Sequence, residues 1–181
     1  MSKRRWGIGL GATLVLVVTG AWVAGPAGVD RQLWSEVRPV IEARLVADSK
    51  GSGYGETQPG LRARWFCRAE VRDLDEHDGL VRAGVTTSCG EYGVRQGALV
   101  ECSGAEVPQV VRLRRDAGAD GGYRVVSREE APDGAGSERW VEDHFSFFAE
   151  PGPEDAGAST DPETAARRHF GLPADAPVKD C

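Results

Sequence analysis

The chain has 181 residues, with 22 Lys or Arg, 28 Asp or Glu and a formal net charge of −6. Three of the basic residues, Lys3-Arg4-Arg5, precede a long apolar run, so the chain after that run carries 19 basic and 28 acidic residues, a formal −9. This charge argues against nucleic acid as a partner, and the remaining length suits one domain with a modest core.

The first element is the apolar run at residues 6–24, which contains no charged side chain. As a helix it would extend about 28 Å, close to the hydrocarbon thickness of a bilayer. The basic cluster before it should stay in the cytoplasm, which places the rest of the chain outside. We predict a cytoplasmic tail at 1–5, a transmembrane signal-anchor at 6–24 and a linker at 25–28, in a single-pass protein of the cell membrane. The alternative is a cleaved signal peptide and a secreted protein.

The next element is an amphipathic helix. Asp30 suits its N-cap, and apolar residues follow the helical period up to about Ala47. Pro39 interrupts the pattern and predicts a kink or a split into two helices. The glycine-rich stretch at 48–60 predicts a flexible connector.

The period then changes from that of a helix to that of a strand. Apolar and arginine side chains alternate along 62–72, and Asp78-Gly79 is typical of a hairpin turn. Further alternating segments predict a curved antiparallel sheet of about four strands, and Ser137 suits the N-cap of a C-terminal helix. We predict an extracytoplasmic α+β domain over 29–150.

This order of a helix, a strand meander and a helix resembles the cystatin-like and NTF2-like folds. Gly122-Tyr123-Arg124-Val125-Val126, followed by Ala131-Pro132-Asp133-Gly134 and a helix with aromatic residues, is similar to the C-terminal half of small exported or membrane-anchored bacterial proteins of unknown function. The arginine-rich, lysine-poor composition points to an actinobacterial source. The resemblance implies a fold with helices on one sheet face, and it carries no activity.

The tail at 151–181 is rich in Pro, Gly, Ala and Asp and has little to bury. We predict that it is mostly disordered. One short helix is expected at 162–170, because Asp161 suits its N-cap, Pro162 its first position and Gly171 the position past its end.

All four cysteines, Cys67, Cys89, Cys102 and Cys181, follow the apolar run, so export predicts two disulfide bonds. Residues opposed across a hairpin have a constant index sum, and Cys67 with Cys89 fits a turn at Asp78. Cys89 with Cys102 fits the next turn equally well. We prefer Cys67–Cys89 with Cys102–Cys181, and the alternative of Cys89–Cys102 with Cys67–Cys181 remains open.

Catalytic and metal motifs are weak. The carboxylates between Asp73 and Asp78 do not match the spacing of a calcium loop, and the three histidines are scattered without a nucleophile motif. We predict no catalytic residue, no metal site and no cofactor, and we favour a non-enzymatic role.

Arginines recur on the polar side of the strand pattern and would form a basic face suited to phosphate or carboxylate groups. They are Arg62, Arg64, Arg68, Arg72, Arg82, Arg112, Arg114, Arg124 and Arg128. The alternative is a solvated face on which Glu70, Glu91, Glu101 and Glu129 pair with them. The sequence thus favours a membrane-anchored extracytoplasmic domain that binds or scaffolds an envelope protein or an anionic polymer. The competing hypothesis is an NTF2-like pocket for a small ligand or for catalysis.

Overall fold

The computed structural model describes residues 29–145 and 160–181. They form an α+β fold with a mixed, open five-stranded sheet, which confirms the predicted class. In chain order the elements are α1 (Arg31–Ser49), β1 (Arg64–His77), β2 (Leu80–Arg95), β3 (Ala98–Arg115), β4 (Tyr123–Glu130), α2 (Ser137–His144), α3 (Pro162–Phe170) and β5 (Val178–Asp180).

The predicted cytoplasmic tail, signal-anchor and linker at 1–28 lie outside the described residues. Within 29–145 and 160–181, no helix combines the length and the apolar character that a membrane crossing requires.

The sheet follows the order β1-β2-β3-β4, and all three of these pairings are antiparallel. β5 adds a fifth strand, which pairs in parallel with the beginning of β3. The expectation of about four purely antiparallel strands is corrected here. β5 has only three residues, all exposed, so it leaves no alternating pattern in the sequence.

Two tight turns set the register of the long strands. Asp78-Gly79 and Gln96-Gly97 each place two consecutive residues at positive φ, between 51° and 76°. This conformation matches the right-handed twist of the strands they join, and glycine adopts it without steric cost. Cys67 therefore lies directly opposite Cys89, as the index sum predicts.

α1 is one continuous helix. Asp30 accepts hydrogen bonds from the N–H groups of Gln32 and Leu33, at 2.9 and 3.0 Å, and so caps it as predicted. Pro39 neither ends nor splits the helix. Because Pro39 and Ser35 lie on the exposed side, water can satisfy the carbonyl of Ser35 that the missing N–H leaves open.

The main core lies between α1 and one face of the sheet. Its fully buried members include Val37, Ile41, Val81, Val111 and Leu113. These side chains fill the space between helix and sheet where an NTF2-like fold would hold a ligand.

A smaller cluster lies on the opposite face. Phe66 alternates with the α1-facing residues of β1, and it packs with Tyr92 and Leu99 of the sheet against Ala166 and Phe170 of α3. This second face is therefore covered by the tail rather than by the main helix.

The segment 160–181 is folded onto the domain, whereas the sequence indicated a mostly disordered tail. The predicted helix is present, with Asp161 as N-cap and Gly171 in the left-handed conformation past its end. The two disulfide bonds are Cys67–Cys89 and Cys102–Cys181, which confirms the preferred pairing. The second bond ties the end of the segment to β3.

The segment between α1 and β1, predicted as a flexible connector, contains two short 3-10 turns at Gly55–Thr57 and Pro59–Leu61. Carboxylates hold it in place: Glu56 accepts from the N–H of Gly51 at 2.7 Å, and the buried Glu91 accepts from Gly55 at 2.8 Å. Glu91 lies 36 positions from Gly55, so the local composition does not reveal this second bond.

Candidate functional site

An open cavity of about 740 Å³ lies where the tail segment meets the ends of β2 and β3. We call it the tail cleft. Its lining consists of Tyr54, 88–90, Tyr92, 101–106, Asp161, Pro162, Asp180 and Cys181.

Two glycines leave part of the floor of the cleft without side chains. Gly90 of β2 lies directly opposite Gly104 of β3. A Cβ on Gly90 would overlap the ring of Tyr92, whereas a Cβ on Gly104 would come no closer than 3.4 Å to its neighbours. The absence of a side chain at Gly90 is thus a requirement for the position of the Tyr92 ring.

The tail forms one wall. The N–H of Cys181 donates to the carbonyl of Glu101 at 2.9 Å, and the N–H of Leu99 donates to the carbonyl of Pro177 at 3.0 Å. Cys102 and Cys181, which both line the cleft, are joined by the second disulfide. The position of this wall therefore depends on a covalent bond and on the parallel pairing of β5.

Tyr54 forms another wall. Its backbone N–H donates to the hydroxyl of Ser103 at 3.0 Å, which anchors the connector to β3. The side chain of Tyr54 remains 59% exposed. An aromatic ring in this position can contact a ligand without first breaking a packing contact in the core.

The cleft has a negative electrostatic character. Its lining includes the carboxylates Glu101, Glu106, Asp161 and Asp180, and no lysine or arginine of the described residues is among that lining. Burial raises the pKa of Tyr92 far above its ordinary value, and the charges of Glu101, Glu163 and Asp161 raise it further. The negative charges that disfavour the phenolate form of Tyr92 would stabilise a cation bound nearby.

The structure brings most of the predicted arginines to one face of the sheet, opposite α1. The strand alternation, pairing and side-chain contacts place on this outer face Arg64, Arg68, Arg72, Arg82, Arg112, Arg114 and Arg124. Arg128 instead reaches Asp48 of α1, at 3.5 Å, and Arg62 lies in the turn before β1.

Many of these arginines are paired with carboxylates. Arg68 pairs with Glu70, and Arg82 lies 2.7 Å from Asp73. Longer pairs join Arg112 to Glu129 and Arg124 to Asp116, at 3.6 and 3.2 Å. The outer face is therefore partly neutralised, and its role in binding an anionic partner stays a prediction.

Two of the four glutamates expected to pair with the arginines lie elsewhere. Glu91 is fully buried beneath the connector, and Glu101 lines the tail cleft. Glu70 and Glu129 do pair with arginines. Glu91 lies on the same face of β2 as Cys89, toward α1, whereas Glu101 lies beyond a β-bulge at which the register of β2 and β3 shifts between Glu91 and Tyr92.

In the described parts of the chain, no three His, Cys, Asp or Glu side chains are grouped so that they could hold a metal ion. The described carboxylates that line the tail cleft do not form such a group. The arrangement suits contacts with an organic cation, which needs distributed negative charge and aromatic faces rather than a compact ligand set.

Sequence reasoning missed the tail cleft. The preferred Cys102–Cys181 bond was the available signal, since it requires the tail to cross β3 near Glu101. The glycine pair and the bulge gave no local signal, because their effect depends on strand register.

Comparison with known proteins gives no family. The chain matches no protein-family model and shows no significant match to a curated protein or to a solved structure. The fold and the cleft define an α+β domain with two disulfide bonds, and its function has to be argued from the site.

Proposed function

We propose that this chain is a membrane-anchored, extracytoplasmic binding domain and that its tail cleft binds a cationic segment of a partner protein in the cell envelope. The membrane attachment rests on the apolar run at 6–24 and the basic cluster before it. The two disulfide bonds support export, because such bonds persist in oxidising compartments.

The observation that carries the proposal is the composition of the tail cleft. Four carboxylates and two tyrosines line one open cavity without a lysine or arginine among the described residues that line it. Lysine and arginine side chains bind such a surface through charge-assisted hydrogen bonds and through the faces of aromatic rings. The open shape suits a protein segment better than a small molecule, which is usually enclosed on most sides.

Binding is favoured over catalysis. A catalytic pocket of the NTF2-like kind would lie between α1 and the sheet, where apolar side chains fill the space. An enclosed, water-excluding site is what gives electrostatic catalysis its strength. We propose a distant structural relationship to the cystatin-like and NTF2-like folds, supported by a long helix packed on an antiparallel meander, without the ligand pocket.

A cationic partner is favoured over an anionic one. The arginines of the outer face have carboxylates beside them, so an anionic ligand would have to compete with those pairs. The carboxylates of the tail cleft face solvent on a domain of formal charge −9. Long-range attraction would therefore also speed the approach of a basic segment.

The experiment is a titration of the purified full chain in detergent micelles with fluorescent pentalysine, with pentaglutamate as the anionic probe. We expect pentalysine to bind, and we expect Glu101→Gln with Glu106→Gln to weaken its binding about tenfold, since each change removes one charge contact. The matched control replaces Glu138 and Glu142 of α2, two exposed carboxylates outside the cleft, with Gln.

Equal weakening by the control pair would show attraction to net charge alone and would overturn the cleft as the site. Preferential binding of pentaglutamate, lost on reversal of Arg64, Arg68 and Arg112 to Glu, would replace the proposal with the outer arginine face.

A further inference from the structure

Among the strands of residues 29–145 and 160–181, β1 forms one edge of the sheet and pairs with β2 alone. It is 14 residues long. A long edge strand presents a row of backbone N–H and C=O groups that another strand can bind, and proteins usually protect such an edge. Here the N–H of Ala69 points away from β2 and donates to the side chain of Glu42 in α1, at 3.1 Å.

The charges along this edge are segregated. Its first nine residues, 64–72, are basic and its last five, 73–77, are acidic. Arg64, Arg68 and Arg72 lie in the first part, with Glu70 between them, and Asp73, Asp75 and Glu76 follow. An antiparallel copy of the same strand would place the basic end of each against the acidic end of the other.

One two-fold arrangement makes this complementarity specific. If the axis passes through Ala69, Arg68 of one copy lies opposite Glu70 of the second copy. The bulge at Arg72, where the register shifts between Val71 and Asp73, then brings Arg64 opposite Asp75 of the second copy. All four of these side chains lie on the outer face of the sheet, so the pairs can form on one side of the joined strands.

We propose that two copies of this chain associate through their β1 edges, antiparallel and centred on Ala69, to form a continuous sheet across a two-fold axis. Arg64 and Asp75 determine the specificity of this contact. Neither forms an ion pair with any described residue of its own chain, so both charges are available to the second copy. Glu42 competes with the second copy for the N–H of Ala69 and keeps the contact reversible.

The test is sedimentation equilibrium of the full chain in detergent micelles over a range of concentrations. We expect a reversible monomer–dimer equilibrium. Arg64→Glu alone and Asp75→Arg alone should each weaken it at least about fivefold, since each converts two symmetry-related attractions into repulsions. The double variant Arg64→Glu, Asp75→Arg should restore the wild-type dissociation constant. Arg139→Glu, an exposed reversal on α2, is the matched control.

Restoration by the double variant identifies a direct contact between the two positions, because a general charge effect would not be rescued. Glu42→Ala should tighten association, and unchanged or weaker association would exclude an axis at Ala69. A wild-type chain that stays monomeric, or a dimer that neither single reversal weakens, would overturn the proposal. The latter result would assign association to another part of the chain, such as the apolar run.

Discussion

The two ends of β3 lie in regions that are stabilised by different interactions. Its last part pairs with β4, and Val110, Val111 and Leu113 are fully buried there. Its first part pairs with β5 and bears Glu101, which is exposed at the tail cleft. One continuous strand thus passes from the main core under α1 to a region held by a smaller apolar cluster, a disulfide bond and the pairing with β5.

The difference indicates that one region stabilises the fold and that the other can bind a partner. Apolar burial under α1 excludes water, and the side chains buried there are not accessible to a partner. On the tail side, the covalent link reduces the burial needed to order the chain, so carboxylates and the ring of Tyr54 can remain exposed. We infer that α1 and its core stabilise the fold and that the tail side carries the binding surface.

The largest effect is expected from Ile41→Ala in the core under α1. Ile41 is 1% exposed, and its truncation should lower the free energy of unfolding by about 3 to 5 kcal/mol. Urea denaturation would measure this, with exposed Arg31→Ala as a control that changes it by less than about 0.5 kcal/mol. Pentalysine binding by the folded variant should be unchanged. A loss of binding in proportion to stability would mean that the two regions are not separable.

Removing the disulfide of the tail side should act locally. Cys102→Ala with Cys181→Ala is expected to lower the stability of the tail by about 2 to 4 kcal/mol, because this bond closes a separation of 79 residues. Hydrogen exchange should accelerate in α3 and β5 while α1 stays protected, and pentalysine binding should be lost. Cys67→Ala with Cys89→Ala is the comparison, since that bond lies in the main sheet and joins two neighbouring strands. Uniform acceleration of exchange in both double variants would contradict the distinction.

A smaller change tests the floor of the cleft. Gly90→Ala places a Cβ where the ring of Tyr92 lies, so the ring must move, at a cost of about 1 to 3 kcal/mol. We expect weaker pentalysine binding, measured by fluorescence anisotropy. The opposed Gly104→Ala is the matched control, because its Cβ makes only ordinary contacts of 3.4 Å or more. Equal losses of binding in the two variants would show that the Tyr92 ring position is not important.

The smallest effect is a dependence on pH. Because the pKa of Tyr92 is raised on folding, by burial first and by Glu101 next, the unfolded chain releases this proton at lower pH than the folded chain. The stabilisation is complete below about pH 10 and is lost at higher pH, by up to about 1.4 kcal/mol per pH unit.

The midpoint temperature of thermal unfolding should therefore fall more steeply between about pH 8 and pH 11 for the wild type than for Tyr92→Phe. Tyr54→Phe, at the exposed ring, is the control and should follow the wild type. Parallel profiles for the wild type and Tyr92→Phe would show that the hydroxyl of Tyr92 titrates alike in both states.

The sequence predicted the elements whose signals are local. Asp30 and the apolar period located α1, and Asp78-Gly79 located the first hairpin and hence the opposed Cys67 and Cys89. Asp161 and Gly171 located α3. Each of these signals consists of residues close together in the sequence, so the element that it predicts does not depend on contacts between distant segments.

The remaining features depend on contacts between distant segments. β5 is ordered by its pairing with β3, and the connector is ordered by Glu91, which lies 36 positions from its partner Gly55. The positions of the arginines are evident in the sequence. The carboxylates that pair with them depend on β-bulges, which the alternation of side chains does not locate. Glu101 was expected beside an arginine and lies in the tail cleft instead.

The most direct test of the tail cleft is an NMR titration of the ¹⁵N-labelled full chain in detergent micelles with pentalysine. We expect the largest amide shifts at Ser88–Tyr92, at Glu101–Glu106 and around Asp161 and Asp180, with little change along α1. Shifts concentrated at residues 73–78, the acidic end of β1 and the first residue of the turn after it, or an absence of saturable shifts, would contradict the assignment of the tail cleft as the binding surface.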